Sequence, residues 1–86
     1  MKNQIETQMD IPDNIGQIAV IIAQDWKKIY FGAVPYLQAM KSLNSIQDSY
    51  YDESAKTVVT YFLANARTYR GEKARQIKAK LNQMIA

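Results

Sequence analysis

Residues 58–81, VVTYFLANARTYRGEKARQIKAKL, limit the fold more than any other part of the chain. Their apolar positions recur at helical spacing, the pattern breaks at Arg70-Gly71, and it resumes as a strongly basic amphipathic segment. Ala55, Val58, Val59, Phe62, Ala66 and Tyr69 share one helical face, and Ala74, Ile77, Leu81, Met84 and Ile85 form a second stripe. Whether Thr68 caps a new helix or Gly71 terminates the old one stays open at this level. A strand over residues 56–63 is the competing assignment, because that run is rich in β-branched and aromatic residues. Its apolar positions fail to alternate, however, and Ala64, Asn65 and Ala66 continue the helical pattern.

The same reasoning places two helices upstream. Asp13 or Asn14 can cap the first, and Ile15, Ile18, Ile22, Trp26 and Ile29 then recur at i+3 and i+4 spacing, with an end expected near Phe31-Gly32. Gly32 suits the left-handed conformation of a helix terminus, and Pro35 suits the first turn of the next helix, where a missing N–H costs nothing. That second helix is expected over residues 34–43, with Tyr36, Leu37, Met40 and Leu43 for packing. Residues 44–51, NSIQDSYY, lack periodicity and read as a loop anchored by Ile46, and Asp52 is the expected cap of the third helix. The predicted architecture is therefore all-α, a compact bundle of about four helices over residues 13–86, preceded by a polar, poorly ordered arm over residues 1–12.

Eighty-six residues bury one modest core, so nearly every apolar stripe has to pack. The chain contains no cysteine and no histidine. The first absence fits a reducing cytoplasm and removes thiolate metal sites; the second removes the commonest general base and metal ligand. The polar amino terminus does not have the form of a secretory signal, and the longest apolar run, residues 18–23, is far short of the roughly 20 residues that span a bilayer.

Little in the sequence points to reaction chemistry. Asp48, Asp52 and Glu53 lie close together beside Tyr50 and Tyr51, but their spacing is not that of a calcium loop, and acids around a helix start are the better account. No nucleophile elbow, Ser-His pair or phosphate-cradling glycine loop is present in a chain with three glycines. The expected protein is not an enzyme, uses no cofactor or metal and takes no small-molecule substrate.

Charge and surplus apolar surface carry the functional signal. The net charge is +3, yet residues 1–25 are acidic, whereas Arg67, Arg70, Lys73, Arg75, Lys78 and Lys80 face a single acid, Glu72, in the last third. Such a segment suits an acidic partner, nucleic acid or protein, although these charges surround the apolar stripe on a helical wheel instead of forming one row, as snorkelling solvated side chains also would. Val20 and Ile21 fall off the buried face of the first helix, and Tyr61 and Leu63 off that of the third. With Tyr50 and Tyr51, which either serve an interface or fold back over the core, they form the candidate partner surface.

The runs YFGAVPYLQAM (residues 30–40) and YFLANARTYRGEKARQIKAKL (residues 61–81) resemble small helical proteins of unknown function encoded by bacteriophages and related mobile elements. The resemblance implies a bacterial host cytoplasm and an accessory role, such as binding a host protein or nucleic acid. It carries over no functional residue. The leading expectation is a non-enzymatic interaction module that binds a protein partner or self-associates. The alternative is a nucleic-acid-binding protein using the six basic residues of the last third.

Overall fold

A computed structural model describes residues 10–86. Over that range the chain is mainly helical, with α1 (Ile15–Asp25), a 3-10 turn (Phe31–Ala33), α2 (Val34–Met40), a short hairpin of β1 (Ser49–Tyr50) and β2 (Glu53–Ser54), α3 (Ala55–Ala64) and α4 (Glu72–Ile85). The all-α expectation is thus corrected to mostly α: β1 and β2 pair antiparallel, Ser49 with Ser54 and Tyr50 with Glu53. The expected arm lies outside the described residues except at its end, where Ile11 packs against the core.

α3 is the hub, with α2 and α4 both packed on it and α1 packed on α2. The core it organises contains Ile15, Ile18, Ile22, Trp26, Leu37, Met40, Val59, Phe62, Tyr69, Ile77 and Leu81, all buried. Every apolar position assigned to an inward stripe of the third helix, from Ala55 to Tyr69, is buried. Ala66 and Tyr69 reach the core from beyond the helix, however, because α3 stops at Ala64 and Asn65 caps it.

Two helix starts are as expected, with Asn14 Oδ1 accepting from the Gln17 amide at 2.9 Å to cap α1 and α2 beginning at Val34, but the carboxyl-terminal ends differ for reasons of packing. α1 ends at Asp25, not near Phe31, since Trp26 turns to extended backbone and puts its ring between Phe62 (centroids 6.3 Å, edge-on) and Tyr69 (5.1 Å, stacked). Ile29 consequently packs from an irregular segment. α2 ends at Met40, and Leu43 is buried after a turn whose carbonyl accepts from the Gly16 amide at 2.8 Å. A Cβ on Gly16 would lie 2.8 Å from the Lys41 carbonyl oxygen and 2.9 Å from that of Leu43, so only glycine lets the start of α1 meet this turn.

The cap of α3 is Ser54, whose hydroxyl accepts from the Thr57 amide at 3.1 Å; Asp52 lies in the hairpin turn instead. Tyr51, the first turn residue, has φ 56°, a left-handed value that a turn of two residues between antiparallel strands demands and that normally selects glycine. The break between the last two helices spans residues 65–71. Gly71 ends it with φ 116° and ψ 173°, a conformation essentially restricted to glycine, and α4 starts at the next residue.

Candidate functional site

The break between α3 and α4 places its arginines beside an aromatic residue from the other half of the chain. Tyr30, Ala64, Asn65, Arg67, Thr68 and Arg70 line an open cleft of about 360 Å³. Gly32 shapes it: a Cβ there would lie 2.5 Å from the Tyr30 ring and 2.8 Å from Asn65 Oδ1, so the missing side chain lets both close over the 3-10 turn. Gly32 therefore serves close approach and not the left-handed helix end expected of it. The Asn65 amide is held by donating from Nδ2 to the Tyr61 carbonyl at 2.8 Å. Phe31 stands beside Tyr30, centroids 4.9 Å apart, and is 79% exposed.

A second, broader cleft of about 560 Å³ lies across Arg70 from the first, lined also by Tyr69, Gly71, Arg75, Lys78 and Asn82. Arg70 lines both clefts, so they adjoin as one track, with Arg67 lining the first and Lys78 the second. Arg70 is steadied by donating from Nε to the Arg67 carbonyl oxygen at 3.4 Å, which leaves its terminal nitrogens for a ligand. The Lys78 ammonium sits 5.8 Å from the Tyr69 ring centroid. Burial, and then the positive charge of Arg70, hold its pKa below the usual lysine value. An anion laid between Arg70 and Lys78 would relieve that repulsion.

The six basic residues do not act alike. Arg75 is paired with Glu72, and Lys80 with Asp13, just ahead of α1. Arg67, Arg70 and Lys73 carry no ion pair among the described residues. Lys73 is exposed but lines neither cleft, so the structure gathers Arg67, Arg70, Arg75 and Lys78 and leaves Lys73 and Lys80 outside the track. The floor is firm because Tyr69, 1% exposed, donates its hydroxyl to Asp25 Oδ2 at 2.9 Å. Burial, and then that carboxylate, push the phenol far above the usual tyrosine range, so it stays a neutral donor.

The candidate partner surface is dispersed. Val20 and Tyr61 are about half exposed, Tyr51 is almost fully exposed, and Ile21, Tyr50 and Leu63 are half-buried against the core, so of the four residues read as surplus apolar surface Ile21 and Leu63 are partly covered, and of the paired tyrosines Tyr50 folds back while Tyr51 does not. Tyr61 meets Tyr36 (centroids 5.6 Å) and Tyr50 meets Tyr51 (4.7 Å), so parts of this surface cover one another. Of the acids beside the hairpin, Asp48 is structural: its Oδ2 accepts from the Asn44 and Ser45 amides at 2.8 and 3.1 Å. Among the described residues, no three His, Cys, Asp or Glu side chains converge as a metal site would require.

Sequence reasoning missed Tyr30, Phe31 and Asn65. Nothing local signals them, since Tyr30 meets Arg67 and Arg70 only after the chain has passed through α2, the hairpin and α3. The track itself presents guanidinium, ammonium, amide and hydroxyl groups with aromatic faces at one end. Its chemistry is that of holding an anion. No family model matches the chain, and neither a curated protein nor a solved structure is significantly similar to it.

Proposed function

We propose that this chain is a non-enzymatic binding module whose partner is a nucleic acid. The observation that carries the reading is the sharing of Arg70 by two adjacent clefts, which turns separate charges into a continuous cationic track. A phosphate backbone offers repeated negative charge along a line, and neutralising it releases counterions, so a track suits it better than isolated cations do. A sequence pI of about 9.2 favours the same class of partner over long range. The resemblance to phage and mobile-element proteins fits an accessory role in a bacterial host cell. No helix among the described residues is long and apolar enough to cross a membrane.

Fluorescence anisotropy with labelled mixed-sequence DNA and RNA, at low and high salt, tests the reading. Binding that falls steeply with salt is expected, and Arg67→Ala with Arg70→Ala should weaken it and flatten the salt slope by about one unit per lost phosphate contact. Binding that is absent at low salt, or has no salt slope, rejects it.

A protein partner or self-association is the second reading, favoured by the exposure of Val20, Phe31, Val34 and Tyr61. A molar mass that rises with concentration in light scattering would support self-association. A constant monomer mass would remove it.

A further inference from the structure

We propose that Tyr30 and Phe31 form a base-stacking step at the end of the cationic track and that its occupant is single-stranded nucleic acid, with a base against these rings and its phosphates on Arg67 and Arg70. This inference rests on the nucleic-acid reading and narrows it. Three observations carry it. Tyr30 lines the same cleft of about 360 Å³ as both arginines, so one ligand there can meet ring and cation together. Tyr30 is 43% exposed, and Phe31, beside it with ring centroids 4.9 Å apart, is 79% exposed, so aromatic surface extends from the cleft's edge. Gly32 lacks the Cβ that would collide with the Tyr30 ring, so the ring is free to lie over the turn at the cleft's edge.

Charge alone would accept any polyanion. Aromatic rings change the selection, because a duplex keeps its base faces stacked inside, whereas a single strand can turn a base onto a side chain. The tilt of 54° between Tyr30 and Phe31 gives two differently oriented faces, which suits successive unstacked bases better than a flat surface. Arg70 then hands the backbone to the second cleft, where Lys78 lies beside it. A purely acidic segment, without aromatic or apolar side chains, would satisfy the arginines but leave the exposed rings uncovered.

The test uses the full chain with a labelled single-stranded 12-nucleotide DNA, its duplex, and unlabelled polyglutamate as competitor, all at low salt. The single strand is expected to bind on the order of tenfold tighter than the duplex, with Phe31→Ala and Tyr30→Ala each weakening it by at least about fivefold while duplex binding stays within about twofold. Tyr30→Phe keeps the ring and should retain the affinity. Phe31 is so exposed that its alanine variant keeps the fold, as circular dichroism would verify. Equal affinity for duplex and single strand, or no effect of both alanine variants, overturns the stacking inference while leaving nucleic-acid binding intact. Failure of all oligonucleotides to bind, or displacement of the single strand by polyglutamate at equal charge concentration, overturns the nucleic-acid reading and this inference with it.

Discussion

Single carboxylates in this chain work on the backbone and on other side chains more than on any ligand. The two amide hydrogen bonds from Asn44 and Ser45 hold the Asp48 carboxyl below its usual range. Lys80 does the same to Asp13, and Gln76, followed by Arg75, to Glu72. A carboxyl whose pKa is lower folded than unfolded stabilises the fold fully above the ordinary carboxylate range, and that contribution fades as pH falls and protonation favours the unfolded chain. Thermal stability should therefore decline from about pH 4 downward. Asp48→Asn should lower stability at pH 7, where the charge-assisted bonds are lost, and should give a shallower decline in acid. Melting curves at a series of pH values check this, and an acid limb as steep as that of the natural chain would remove Asp48 from the account.

At the level of elements, inward faces and two helix starts, the Asn14 cap of α1 and the Val34 start of α2, were legible in the sequence, whereas the ends of α1 and α2 and the cap of α3 were not. Ile15, Ile18 and Ile22 in α1, and Val58, Val59 and Phe62 in α3, are buried as their spacing predicts, because a helix of this size must bury its apolar stripe. Trp26 is buried too, yet α1 stops there and its ring packs with Phe62 and Tyr69 from extended backbone, a contact that no sequence period encodes. The hairpin escaped notice for a related reason: its strands are two residues each, too short to show alternation, and its turn carries Tyr51 where glycine is the usual signal. Of the candidate site, the arginines were legible as charge, whereas Tyr30 was not, its place being set by tertiary approach. The start of α3 separates sequence expectation from structure directly. Ser54→Ala should cost about 1 kcal/mol, the worth of a hydroxyl N-cap, while Asp52→Ala should change stability by no more than about 0.5 kcal/mol, as at a surface site. Urea denaturation of the two variants decides between the caps, and the reverse order would restore Asp52.

For the molecule as a whole, stability and the binding track depend on the same few contacts. Phe62 projects from the hub helix to the edge of Trp26, Trp26 stacks on Tyr69, and the Tyr69 hydroxyl reaches back to Asp25 at the end of α1. That chain of contacts joins α1, α3 and the segment leading to α4, and Tyr69 also lines the floor of the second cleft. Domains of this size are stable by only about 5–15 kcal/mol, so one core aromatic is a large share of the total. Phe62→Ala, at a position with no exposed surface, should cost about 3–5 kcal/mol. Because the cluster spans most of the described fold, the loss should appear as one cooperative transition at lower urea, with its slope unchanged, and tryptophan fluorescence and far-ultraviolet circular dichroism should report the same midpoint. Midpoints that separate, with Trp26 released before the helices melt, would mean that α1 and the α3–α4 pair hold together independently and that the track's floor can loosen without global unfolding.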